Sequence, residues 1–399
     1  MKRAKTRENR SLLRRDELFT ILQHLSARAA RMVRESPGWR SMLKEAEASL
    51  NELLRSDPSL EEFRTEQMRF DGHSFSRLSL VSLINWLIER TTLAGPDKTL
   101  TDLEKYLNGN TFPCRFSIGV RGVTTAQAVH MADDIQLLPD SEDVISFGSL
   151  GKPPISTAAF TLVAELPKIT ASSSDSARLA NTRAEAAGVE AFERLQIARM
   201  CVALVLNSRI VETTRTADTR ADVPKSGGRS AASAAFPPNV PTRNLRADEA
   251  TAAADLHSRL VSMPKKLRDR LAVALHRWHA LFLRNGVNAD FFIDLGIGLE
   301  SVFVSSESSS EISYRIAIRG ARLLGGSTVA SRTQMSRMLT ILYKARSTAA
   351  HSGRLLDKIP TTVAPTVGHL AMDGEELLRR AILTMIYRGR DDWEELEFA

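Results

Sequence analysis

Apolar side chains recur at helical spacing near the start of the chain: Leu18, Ile21, Leu22, Leu25 and Ala29 share one face, and Met42, Ala46 and Leu50 continue the pattern in a second element. Residues 12–66 therefore read as helices, interrupted at Ser56-Asp-Pro-Ser59, and a third helix is expected over Leu78–Ile88, where Leu80, Leu83, Ile84 and Leu87 form an apolar face. From about Phe112 to Leu166 the period shortens to two. Phe116, Ile118 and Val120 alternate, as do Ile135 and Leu137; Leu138-Pro-Asp-Ser141 turns the chain, and Phe160-Thr-Leu-Val163 adds another strand. The pattern predicts a small antiparallel unit.

Thr170 to Gly188 is rich in Ser and Ala and reads as an exposed loop, followed by a helix from Val189 to Leu206. Periodicity is then lost between Thr213 and Asn244, where Lys225-Ser-Gly-Gly-Arg-Ser230 and Phe236-Pro-Pro-Asn-Val-Pro241 have linker composition. Beyond it helical spacing returns over Asp248–Val261, Pro264–Leu283, Ala289–Phe303, Ile312–Leu324, Ser331–His351 and Glu375–Tyr387. Pro264 suits a first helical position, Asn288 an N-cap and Gly325-Gly326 a helix stop. The expected class is α+β: a helical region over 1–110, a small β unit plus helix over 111–212, a linker over 213–247, and an all-α bundle over 248–399.

Charge and cysteine content narrow the picture only modestly. The chain has 399 residues with 54 Lys+Arg against 47 Asp+Glu, a net +7, which permits a polyanionic partner. Part of the excess lies at Lys2, Arg3, Lys5, Arg7, Arg10, Arg14 and Arg15, a run that reads as a solvated arm. Two cysteines, Cys114 and Cys201, make neither a disulfide framework nor a cysteine metal site, which fits a reducing cytoplasm. The longest apolar run, Met200 to Leu206, is far short of the roughly 20 residues of a membrane span, so no membrane association is expected.

Candidate chemistry concentrates in Arg346-Ser-Thr-Ala-Ala-His351-Ser-Gly353. A guanidinium that is always charged holds a phosphate, and an imidazole titrating near neutrality moves a proton. Met335, Met338, Leu342, Ala345 and Ala349 are expected to form the buried stripe of their helix. At 100° per residue His351 lies about 140° around from Arg346, so one straight helix does not aim both at one phosphate. Either Gly353 bends the helix end, or two copies share a cleft, which would also supply the base and the acid that transphosphorylation needs. Other signals are weaker. His276-Arg-Trp-His279 lacks a third ligand and reads as core or rim histidines; Gly296-Ile-Gly298 reads as close helix packing; Gly72-His-Ser-Phe-Ser76 lacks the second glycine of a nucleophile elbow.

Residues 264 to 390 resemble an Apea-like HEPN domain, on three stretches in order: Asp290-Phe-Phe-Ile-Asp-Leu-Gly-Ile-Gly-Leu-Glu-Ser301, Tyr314-Arg-Ile-Ala-Ile-Arg-Gly-Ala-Arg-Leu-Leu324 and Leu342-Tyr-Lys-Ala-Arg-Ser-Thr-Ala-Ala-His-Ser-Gly353. The resemblance implies a helical endoribonuclease with an R-x4-6-H motif that works as a homodimer and needs no metal or cofactor. Arg346 would hold the scissile phosphate, His351 would act as base or acid, and Ser347, standing where the family often has Asn, Asp or His, would orient one of them. Glu300 would anchor Arg346, or else pair structurally with Arg315 or Arg319. The resemblance further implies a toxin or anti-phage effector whose N-terminal region senses or regulates, with an antitoxin or a phage-derived trigger as partner. The family's inactive members supply the alternative, a non-catalytic RNA-binding or protein-interaction module.

Overall fold

The structure, a computed structural model, describes residues 12, 14–31, 36–64, 68–70, 75–77, 79–139, 156–168, 175–219, 223–224, 230–233, 240–284, 286–304, 311–393 and 395. The chain is α+β and mainly helical. In order it forms α1 (Arg15–Ala29), α2 (Pro37–Arg55), a 3-10 turn (Pro58–Phe63), β1 (Met68–Phe70), β2 (Phe75–Arg77), α3 (Leu80–Ala94), α4 (Pro96–Asn108), β3 (Thr111–Arg121), β4 (Val123–Thr124), β5 (Val129–His130), β6 (Ile135–Pro139), β7 (Ala158–Pro167), α5 (Asp175–Leu206), β8 (Val211–Thr219), β9 (Ser230–Ser233), β10 (Arg243–Asn244), α6 (Ala247–Ser262), α7 (Lys265–Leu283), α8 (Ala289–Phe303), α9 (Ile312–Leu324), α10 (Val329–Ser352) and α11 (Val367–Arg388). The contacts divide it into two compact units: residues 1–119, 141–195 and 212–234, and residues 120–140, 196–211 and 235–399.

In the first unit α1 to α4 pack on one another around Leu18, Leu22, Leu50, Leu54, Leu83 and Leu87. Ser36 caps α2, and Ser79 and Ser82 form a reciprocal capping box on α3, so the sequence marks both helix starts. Helix α4 escapes the periodicity reading because it follows α3 at once: Gly95, at φ 81°, ends one helix and Pro96 opens the next. The strands of this unit run in the order β7-β3-β8-β9. Phe116 of β3 meets Phe192 of α5 edge to face at 5.2 Å.

Two expectations need correction here. Residues 175–188, expected as a loop, are the first half of α5, because Ala, the best helix former, outweighs the scattered serines. The proposed linker over 213–247 instead contributes β8, β9 and β10. Strand β8 buries Thr213, Thr214 and Thr216 alongside Val211 and Ala217, so hydroxyls interrupt the apolar alternation that periodicity detects, and Ser156 Oγ meets Thr213 Oγ1 at 2.6 Å. The two stretches of linker composition fall largely outside the described residues, as do most of the basic N-terminal arm, the end of the Leu138–Ser141 turn and the start of Gly72–Ser76.

In the second unit α8 packs against α7, α9, α10 and α11, so it is the central helix of an all-α bundle. Phe292, Leu295, Leu299, Val302 and Phe303 of α8 join Leu342, Leu378, Ile382 and Met385 in its core. Asp294, 2% exposed on this same helix, takes Arg277 at 2.8 Å and Arg284 at 2.5 Å, the pairing a buried carboxylate requires. Asn288 accepts from the Phe291 amide at 2.9 Å, and Gly325 follows the last residue of α9, as expected. Pro264 stands one residue before α7, and α11 starts at Val367, earlier than expected, where Thr366 caps it. The unit also holds the β5–β6 hairpin, the two-residue parallel pair β4–β10, and the last turns of α5.

Candidate active site

Helix α10 runs without interruption from its Thr328 cap, which accepts from the Ser331 amide at 3.1 Å, to Gly353. Gly353 is left-handed at φ 67°, and its amide reaches the Ala349 carbonyl at 2.9 Å, a helix stop that places His351 in the final turn as expected. The buried positions are Leu339, Leu342, Ala345 and Ala349, whereas Met335 and Met338 are half-buried, so the stripe is shifted by a few degrees from the expected one. No kink brings His351 back towards Arg346. In this continuous helix the two stay about 140° apart in azimuth and about 7.5 Å apart along the axis.

Arg346 faces inward across α8. A Cβ on Gly296 would overlap Arg346 Cγ and stand 2.8 Å from its Cβ, so this glycine is the slot through which the arginine stem passes. Gly298 likewise admits Leu378, with a Cβ there meeting Leu378 Cδ1 at 3.2 Å. The two glycines thus permit close packing, as the sequence suggests, and one of them builds the site. At the end of the slot Arg346 Nη2 stands 3.1 Å from Glu300 Oε1, with the two side chains 26% and 23% exposed. The contact is an ion pair rather than a well-directed hydrogen bond: Glu300 Oε1 and Arg346 Nε are both buried and complete no hydrogen bond among the described residues. Glu300 therefore partners Arg346 and not Arg319, which instead donates to the Phe303 carbonyl at 2.7 Å.

Tyr343, one turn before Arg346, completes this cluster. Its ring lies 5.7 Å from the guanidinium carbon, and its hydroxyl feels the charge of Glu300. Burial first, and then the Glu300 charge, push that hydroxyl above the usual tyrosine range. Sequence reasoning missed Tyr343, although its position three residues before Arg346 puts both on one side of α10. Ser347 is half-buried and makes no hydrogen bond to Arg346 or His351 among the described residues, and His351 is exposed.

The discounted histidines separate cleanly: His276 is exposed, while His279 is buried beside Trp278. Among the described residues no group of three or more His, Cys, Asp or Glu is arranged to hold a metal ion, and no helix is long and apolar enough to cross a membrane. No protein-family model, curated protein or solved structure matches the chain.

What the arrangement can do follows from its parts. A guanidinium held by a carboxylate, a tyrosine and a glycine slot is pre-oriented, and its solvent-reaching quarter can bind a phosphate oxygen at little entropic cost. An exposed imidazole in the last turn of a helix is open to solvent and to a substrate. Within one chain these remain two half-sites.

Proposed function

We propose that this protein is an endoribonuclease of HEPN type that cleaves RNA by metal-independent transphosphorylation, as a homodimer, through Arg346 and His351. The observation that carries the reading is a half-buried, carboxylate-anchored Arg346 five residues before an exposed histidine at the end of the same helix. Because one chain keeps the two side chains about 140° apart, the composite site is formed by two copies related by a two-fold axis. There one imidazole removes the proton of the 2′-hydroxyl, whose oxygen attacks the adjacent phosphorus. The 5′-oxygen departs with a proton from the second imidazole, leaving a 2′,3′-cyclic phosphate and a 5′-hydroxyl. Arg346 stabilises the charge that gathers on the phosphoryl oxygens, Glu300 positions Arg346, and Ser347 lies beside it. On this reading the remaining chain regulates the nuclease, as in a toxin or an anti-phage effector answering to an antitoxin or a phage-derived trigger.

The test is RNA cleavage in excess chelator by the unaltered protein, by His351→Ala and by Glu300→Gln. Cyclic-phosphate products from the unaltered protein, lost in His351→Ala, are expected; a rate unchanged in His351→Ala removes that residue from the mechanism. A concentration-independent monomer that still cleaves would contradict the shared site. The same 140° offset favours one alternative, a non-catalytic module that binds RNA or a protein, and inactivity of the unaltered chain on varied RNAs would select it.

A further inference from the structure

Between Glu311 and Asp357 lie 45 residues that contain no carboxylate and eight arginines and lysines. At the chain's average composition about five carboxylates would fall in such a stretch, and eight positive charges exceed the +7 of the whole protein. This stretch is the α9–α10 hairpin, whose two helices pack on each other.

Several of these cations are turned to structural work. Arg319 holds the Phe303 carbonyl and lies over the Trp393 ring, Arg332 reaches the Ser327 carbonyl at 3.2 Å, and Arg346 is paired with Glu300. Arg337 and Lys344 make no such contact among the described residues, and both are exposed, as is His351. The three stand at seven-residue intervals. Seven residues advance an α-helix by about 10.5 Å and return it to within about 20° of the same direction, so Arg337, Lys344 and His351 form a nearly straight line about 21 Å long. Thr333 and Thr340, exposed on the same side, give their hydroxyl protons to the Val329 and Ser336 carbonyls at 2.8 Å and add no charge.

We infer that this line is a track for the phosphodiester backbone of single-stranded nucleic acid, ending at His351. It rests on the proposed nuclease reading only for what happens at its end. Uniform sign and regular step match a polyphosphate chain, whose charges repeat along a strand. An acidic protein partner fits less well, since protein interfaces are organised around an apolar centre. The one large hydrophobic of α10 that is strongly exposed, Val329, lies at the far end of the helix from His351.

The test uses the entire chain carrying His351→Ala, so that binding is read without cleavage, and a fluorescently labelled 12-nucleotide oligouridylate titrated at several salt concentrations. Adding Arg337→Gln and Lys344→Gln removes two phosphate contacts. The slope of log affinity against log salt then falls by about 1.4, and affinity at 0.1 M salt drops about 25-fold, with the curves converging near 1 M. The exposed lysines of the first unit serve as a charge-matched control, and Lys44→Gln with Lys105→Gln should leave both quantities unchanged. Absence of binding, an unchanged slope in the track variant or an equal loss in the control overturns the track. Displacement of the oligonucleotide by poly-L-glutamate of equal charge, as readily as by unlabelled RNA, overturns its assignment to nucleic acid. A protein with intact His351 that binds through the track yet cleaves nothing would sink the nuclease reading and leave the track standing.

Discussion

The second unit contains two arginine–histidine pairs, and they are opposites. Arg199, at the end of α5, touches His279 of α7 at 2.6 Å, and both are buried. Arg346 and His351 share α10 yet do not face each other. The first pair is bound into the backbone: Arg199 donates to the Ile210 carbonyl, and His279 Nε2 lies 2.8 Å from that same oxygen. Its neighbours do the same work, since Arg379 and Arg243 reach the Leu204 and Leu206 carbonyls at 2.8 and 2.6 Å. Arg379 and Arg243 thus close the C-terminus of α5, where unpaired carbonyls favour cations, while Arg199 ties that helix to the Ile210 carbonyl beyond it. Burial first, and then the Arg199 charge, pull the His279 imidazole down to about 3. It stays neutral, enclosed and unable to exchange protons with a substrate. Contact between an arginine and a histidine is thus no mark of chemistry. Proton exchange with a substrate needs access to solvent, and of these two pairs the one on α10 has it.

Substitution separates the two pairs most sharply. His351→Ala should lower RNA cleavage by about 10²- to 10⁴-fold, the usual scale of acid–base catalysis, while leaving the thermal midpoint nearly unchanged because the side chain is exposed. A comparable loss of cleavage in His279→Gln, with stability intact, would erase the distinction.

Acid should destabilise the fold through His279. Its folded value lies below its unfolded one, so the unfolded chain binds the extra proton, and its contribution to stability is complete above pH 6.5 and is lost as pH falls towards 3. Denaturant unfolding between those limits should show a slope steeper by up to about 1.4 kcal/mol per pH unit than in His279→Gln. Identical slopes would mean the imidazole is not held neutral.

Gly296→Ala tests the slot on the other side of the comparison. The added methyl must displace the Arg346 stem, which should cost about 1–3 kcal/mol of stability and reduce cleavage together with it. Full activity in that variant would show that Arg346 acts from a different position. The smallest effect is expected of Tyr343→Phe, which keeps the ring beside Arg346 and removes only a half-buried hydroxyl, and should change stability by about 0.5 kcal/mol or less. In the unaltered protein the Tyr343 absorbance should titrate above pH 10, and Glu300→Gln should bring that titration down. A titration unmoved by Glu300→Gln would detach the tyrosine from the site.

Much of the second unit could be read in one dimension. Helices α8 and α9 begin and end where the sequence places them, because Asn288 and Gly325 act within a turn of their own positions. Gly353 stops α10 for the same local reason. The first unit was less legible. Strand β8 buries three threonines, of which Thr213 meets Ser156 from 57 positions away, and the first half of α5 has polar spacing that hides a helix of good formers. The charge signal was also only half seen. The basic N-terminal run stands out in the cations alone, while the acid-free stretch from 312 to 356 is visible only when carboxylates are counted.

The sequence by itself determined the class of fold, the helices of the bundle, the seven-residue recurrence of Arg337, Lys344 and His351, and the 140° between Arg346 and His351, since all of these follow from local propensity and helical geometry. Only the tertiary structure decided that Glu300, rather than a solvent ion, holds Arg346, that Gly296 is the opening through which it passes, and that His279 is sealed against Arg199. Those facts depend on which helix lies against which. Side chains far apart in sequence acquire their charge state and access from neighbours that packing alone supplies.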